Sequence, residues 1–292
     1  MTLLKDSSLS HRHADAYLAP PLALLTAGAA LILLLVLVFL LREAWPVLHH
    51  GGWRHFFTDA SWYPLEGRFG LLPMVWATLA VAAGAILLAA PLGVAGAVFQ
   101  HFYAPPAIAR LYGAMLALLA GVPSVVYGLW GLTVLVPLIG RWQPPGAGLF
   151  TAILILALMI LPTVALTSAS ALRTVPSALL HGAAALGLTR KGLVTGVAVP
   201  AARSGIISGL LLATARALGE TMAVLMVAGN VVQNPTGLFA PVRVLTANIA
   251  LEMAYATGTH RASLFASGLL LTLLVLLLAW LAIRVTRGAH HG

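Results

Sequence analysis

Two ionisable residues, Arg216 and Glu220, lie inside an apolar stretch, Ile206 to Gly229, that is long enough to cross a bilayer. An arginine at the centre of a membrane helix costs about 2.5–3.5 kcal/mol on insertion scales, so its position calls for a partner or a task. Its guanidinium presents a planar fork of donors that fits two oxygens of a phosphate-type anion. A carboxylate cannot take an anion. Four residues on, Glu220 shares a helical face with Arg216 and can reach it. The same spacing also suits a plain intrahelical ion pair that only shapes packing. The order, Arg before Glu, is the weaker one for stabilising a helix.

Other polar groups fall at comparable depth. Pro123-Ser124 and the GLWG segment at Gly128 to Gly131 interrupt an apolar run. Close helix packing explains most glycines in such runs, whereas Ser124 suits a polar path equally well. Enzyme chemistry finds little support. There is no G-x-S-x-G elbow and no H-E-x-x-H pair, and Ser124 has no evident base. No catalytic residue is assigned. Histidines fall as His11-x-His13, His49-His50 and His290-His291 in loops or ends, where solvation is the simpler reading than metal binding, and there is no cysteine. No metal site is assigned.

The elements that must position these residues follow from composition. Of 292 residues, 61% are hydrophobic and only 8% charged, against about 25% charged in a soluble domain. Long apolar runs rather than alternating ones predict an all-α polytopic membrane protein with about six spans. These are Leu22–Leu41, Leu71–Phe99, Leu111–Ile139, Leu149–Leu172, Ile206–Gly229 and Ser263–Ile283. Leu22–Leu41 reads as a retained helix, and residues 230 to 260 read as a mixed loop. Trp53, Trp62, Tyr63 and Phe69, between the first two spans, suit the membrane interface. The division expected is residues 1–70 for tail, first helix and external loop, and 71–292 for the core, with a cytoplasmic loop at about 173–204.

Net charge is +9, which in a membrane protein reflects topology more than nucleic-acid binding. With six spans both termini share a side. That side carries nine basic residues, namely Lys5, Arg12, Arg110, Arg173, Arg190, Lys191, Arg203, Arg284 and Arg287. The other carries six: Arg42, Arg54, Arg68, Arg141, Arg243 and Arg261. The bias places both termini in the cytoplasm.

The basic loop reads as two short helices. Pro176 suits a first turn, Gly187 a stop, and Thr189 a cap for a second helix leading to Pro200. Leu179, Leu180, Ala183 and Leu186 give the first an apolar side, beside Arg190 and Lys191. That surface suits either docking of another protein or lying on the membrane.

From His181 through Gly187 to Val199-Pro200 the loop resembles the EAA loop of ABC importer permeases. Ala183, Gly187 and Pro200 match that pattern. His181 replaces its Glu and Gly182 its first Ala. Three further segments, ARALGETMAV (215–224), FFTDASWYPLEGRFGLLP (56–73) and GVPSVVYGLWGL (121–132), resemble phosphate-importer permeases of the PstC type. The matches cover most of the chain from Phe56 onward.

The resemblance implies a MetI-like permease core in the bacterial inner membrane, forming half of a path for inorganic phosphate lined by Arg216, Glu220, Ser124 and Thr221. It implies a second, PstA-like permease, two ATP-binding subunits docked on the loop and an external phosphate-binding protein. ATP and Mg would be bound by the partner ATPase, with no cofactor in this chain; it lacks the G-x-x-x-x-G-K-[ST] loop that cradles ATP phosphates. Two other functions remain open on residues alone: a permease for sulfate or molybdate, and a stand-alone proton-coupled anion transporter using Arg216–Glu220.

Overall fold

The computed structural model describes residues 6–50 and 53–288. Lys5, His290 and His291 lie outside the described residues, as do the side chains of His11, Arg12, His13, His50, Trp53 and Arg287.

Among the described residues five helices are long and apolar enough to cross a membrane, or six if one sharply bent pair counts as a span. The first, α1 (Asp6–His50), begins well before the expected span, so the polar segment from Asp6 onward is helical rather than an irregular tail. After α2 (Trp53–Thr58), a small antiparallel pair, β1 (Trp62–Tyr63) and β2 (Arg68–Phe69), leads into α3 (Leu72–Val98), which a wider turn extends to Tyr103.

The expected third span is not one straight helix. α4 (Pro106–Gly121) and α5 (Ser124–Trp130), the latter continuing through a wide turn into α6 (Val136–Gly140), meet at 92°. Pro123 causes the bend. A residue before proline is biased away from helical angles, and Val122 is extended, with φ −67° and ψ 129°. The carbonyl of Leu119, whose i+4 residue is Pro123 with no N–H, accepts the Val122 amide at 3.3 Å and the Tyr127 hydroxyl at 2.8 Å. A side chain thus helps to satisfy the freed backbone group, as membrane depth requires.

The centre of the bundle is α7 (Leu149–Arg173), buried on most sides. α3 lies along it with Ala77, Ala85, Ala89, Gly93 and Ala97 facing inward. A Cβ built on Gly93 would meet Val164 Cγ1 at 2.7 Å, so the two backbones approach closer than any larger residue allows. Small residues at such contacts are what packing between membrane helices needs, because lipid removes the hydrophobic drive between them.

Next come α8 (Ser177–Ala185), α9 (Arg190–Leu193), a wide turn at Val194–Ala198 and α10 (Val199–Gly219). α9 to α10 form one span, Arg190–Gly219. The wide turn ends just before Pro200, which has no N–H to give back to the preceding turn. α10 sets Gly205, Gly209, Ala213 and Ala217, spaced by four, toward the interior, with Gly209 against Thr167 of α7.

Two sequence expectations change beyond this point. The expected span Ile206–Gly229 breaks: α10 stops at Gly219 and a separate short helix, α11 (Met222–Val227), follows. The expected loop 230–260 contains α12 (Leu245–Glu252) before the final α13 (Gly258–Gly288). α13 packs against α1, α10 and α12.

Candidate functional site: an arginine beside two broken helices and a docking loop

The break after Gly219 separates Arg216 from Glu220. Glu220 is extended, with φ −69° and ψ 128°. Its carboxylate turns forward, where Oε1 accepts the Ala223 amide at 3.1 Å and caps the start of α11. An acidic cap satisfies an otherwise unpaired N–H and meets the positive end of the helix. The expected Arg216–Glu220 pair therefore does not form, because the two residues no longer share a continuous helical face. The Glu220 carbonyl accepts from Thr246 Oγ1 at 2.8 Å, which ties the break to α12.

Arg216 lies in the last turn of α10 rather than mid-helix. It is exposed, and its Nη1 donates to Thr163 Oγ1 of α7 at 3.2 Å. Among the described residues no carboxylate reaches it, since the ion pairs found both involve Glu252. The guanidinium is thus oriented by a neutral hydroxyl with its charge left uncompensated. Thr163 gave no sequence signal, because only the packing of α7 on α10 brings it to Arg216.

Two other expected site residues stand at breaks. Ser124 is the first residue of α5, half-buried, and Thr221 directly precedes α11, its hydroxyl donating to the Gly219 carbonyl at 3.3 Å. α5 packs on α11 so closely that a Cβ on Gly128 would lie 2.9 Å from Ala223 Cα. The interrupted helices α5 and α11 therefore share one region. Among the described residues no hydrogen bond joins Ser124 to Arg216, Glu220 or Thr221.

At the other end of α10, α8 forms as the sequence indicates, whereas the second short helix is not separate: α9 runs on through Val194–Ala198 into α10 as one span, Arg190–Gly219. α8 stops at Ala185, and Gly187 adopts φ +76°, a left-handed conformation that glycine takes without strain. The Thr189 hydroxyl caps α9, accepting the Gly192 amide at 3.2 Å. The apolar side of α8 divides. Ala183 is buried, and Leu180 packs on a cluster with Val175, Ala202 and Ile206. Leu179 and Leu186 point outward, Leu186 being 82% exposed. His181, Gly182 and Lys191 are exposed too, and Arg190 is held over the Tyr103 ring at 5.6 Å. Pro200 sits on the exposed side of the first turn of α10.

A third cluster had no sequence signal. Glu252, 6% exposed, accepts from Arg243 Nη1 at 2.6 Å and Trp62 Nε1 at 2.8 Å, and lies 2.8 Å from His260 Nε2. Arg243 also donates to the Asn230 carbonyl at 2.9 Å and Asn248 Oδ1 at 3.1 Å. Trp62 is buried rather than an interfacial anchor, because its indole N–H has this partner. The network joins β1, the 230–243 segment, α12 and the first turn of α13.

Comparison with known proteins follows this geometry. Residues 89–289 match the model of the binding-protein-dependent transport system inner membrane component. A phosphate transport system permease protein PstC of Mesorhizobium japonicum is 38% identical over 284 residues, covering 88% of this chain and 86% of the relative. A probable ABC transporter permease protein, YqgH of Bacillus subtilis, is 38% identical, covering 78% of this chain and 77% of its own length. Among solved structures, a bacterial alginate ABC transporter in complex with an alginate-bound periplasmic protein aligns at TM-score 0.66 and 15% identity, over 95% of this chain and 97% of that one. The MetNI methionine ABC transporter, inward facing, aligns at TM-score 0.61 and 20% identity, over 78% of this chain and 99% of that one. At those identities the solved structures speak for the fold alone. The matched region exceeds half of the chain, and with it the chain belongs to the family of binding-protein-dependent transport system inner membrane components.

Proposed function

We propose that this multi-pass inner-membrane protein is the transmembrane permease subunit of an ATP-driven importer of inorganic phosphate, forming half of the translocation path. The observation that carries the reading is Arg216, a cation in the last turn of a membrane helix with no carboxylate partner. An unpaired guanidinium at membrane depth is stabilised by an arriving oxyanion, which it can bind through two parallel hydrogen bonds. The PstC relatives support phosphate as that anion. Ser124, Thr221 and Thr163 are the neutral polar groups proposed to line the path nearby, with Glu220 fixing the helix break.

The partners proposed are a second permease of PstA-like kind, two ATP-binding subunits that hold ATP and Mg, and an external phosphate-binding protein. Both termini and the loop are assigned to the cytoplasm. The outward Leu179 and Leu186, with Lys191 beside them, form the surface that seats the ATPase. α9 to α10 then runs as one span from that surface to Arg216, about 40 Å away at helical rise. Tilting of this rod on ATP binding would move the docking loop and the anion contact together.

The test is uptake of labelled phosphate by membrane vesicles carrying the assembled importer. Arg216→Gln should abolish uptake while the ATPase still co-purifies, and excess sulfate should not compete in the native importer. Undiminished uptake by Arg216→Gln removes the arginine from the mechanism, and competition by sulfate replaces phosphate with a broader oxyanion class.

A further inference from the structure

Arg216 is not the only basic group without a counter-charge. At the end of the bundle that carries α8 and α9, the last residues of α3, the start of α4 and the end of α7 enclose an open cavity of about 540 Å³. It is lined by Gln100 and His101 from the turn ending α3, Arg110 and Gly113 from α4, and Ser170 and Arg173 from α7. No acidic residue lines it, and among the described residues neither arginine has a carboxylate within ion-pair distance. Arg110 Nε donates only to the Pro106 carbonyl, at 3.3 Å.

Gln100 supplies a second, independent observation. Its Nε2 donates to the Ala109 carbonyl at 3.1 Å, which fixes the amide's orientation. Its Oε1 is buried with no hydrogen-bond partner. A buried acceptor left unpaired is unfavourable unless something donates to it. Gly113 permits this placement, since a Cβ there would lie 2.6 Å from Gln100 Nε2. The cavity therefore offers two guanidiniums, an imidazole and a hydroxyl to an anion, and a small shift of the Gln100 side chain would bring its Oε1, now closed to solvent, to a proton carried by that anion.

From this we infer that the cavity is a binding site for a phosphate group bearing a hydroxyl, separate from the Arg216 contact. Planar guanidiniums from two different helices favour tetrahedral oxyanions, and the protonated oxygen of a phosphate monoanion, or a glycerol hydroxyl, satisfies Gln100 Oε1. Inorganic phosphate and the headgroup of phosphatidylglycerol share this chemistry. Occupancy would tie α3, α4 and α7 together immediately before α8, only four residues after Arg173, and so stiffen the base of the docking loop. The inference does not depend on phosphate being the transported cargo.

The full-length chain carrying Arg216→Gln, so that no anion binds at that position, is purified and stripped of lipid. One arm measures labelled inorganic phosphate by equilibrium dialysis. The other measures retention of phosphatidylglycerol against a phosphate-free diacylglycerol by native mass spectrometry. Arg110→Gln with Arg173→Gln should weaken binding about tenfold or more in one arm, while Arg141→Gln, on α6's far flank, leaves it unchanged. Loss in the dialysis arm assigns the site to free phosphate, and loss in the lipid arm to the headgroup. Gln100→Glu, which sets a carboxylate against the ligand and alters neither arginine, should weaken the same arm and guards against misfolding of the double variant. Binding in neither arm, or binding that both the Arg110→Gln/Arg173→Gln double variant and Gln100→Glu leave intact, overturns the assignment.

Discussion

Arg216 donates to Thr163 across 3.2 Å, while Glu220, four residues on, turns away to cap the next helix. The two charges that look like a pair in sequence are thus used separately. One is held by a neutral hydroxyl and stays available, and the other is taken up by the Ala223 backbone amide.

Thr163→Val tests the first half. It removes one hydrogen bond from an exposed guanidinium, worth about 1 kcal/mol, and leaves Arg216 charged but less oriented. Uptake should fall about fivefold at limiting phosphate and recover at saturation, against complete loss in Arg216→Gln. A Thr163→Val variant as inactive as Arg216→Gln would mean that Thr163 does more than orient.

Glu220→Gln and Glu220→Ala test the second half. As a cap, Gln keeps an acceptor for the Ala223 amide whereas Ala leaves it bare at about 1 kcal/mol. Thermal unfolding in detergent should therefore rank native, Gln, then Ala. Equal loss for Gln and Ala would restore a charge pair as the residue's main contribution.

Glu252→Gln should be among the most destabilising single changes outside the spans. The buried carboxylate serves Arg243, Trp62 and His260, and breaking a buried pair by neutralising one partner costs about 3 kcal/mol. Trp62→Phe removes one donor and should cost about a third of that. Limited proteolysis of the 230–243 segment reads both, and an unaltered cleavage pattern in Glu252→Gln would show that the network does not hold that segment.

Leu186→Glu should detach the ATPase without unfolding the permease. Leu186 is 82% exposed and contributes little to the interior, so the melting temperature should barely move. Gly187→Ala strains a residue at φ +76° by about 1 kcal/mol and should weaken coupling while preserving partial assembly. Co-purification of the ATPase with Leu186→Glu would place docking elsewhere on the loop.

The sequence by itself determined the membrane class, the approximate position of most spans and the stop and cap at Gly187 and Thr189 in the loop before α10. Those features depend on near neighbours in the chain. Apolar run length decides whether a helix can cross a bilayer, and Gly187 and Thr189 act on backbone within four residues of themselves. Tertiary structure decided the rest. It tied the break after Gly219 to α12 through the Thr246 hydroxyl. It gave Arg216 a partner on α7, fifty-three residues away, and gathered Trp62, Arg243 and His260 around Glu252. No local spacing encodes these contacts, since each depends on which faces of distant helices small residues allow to meet.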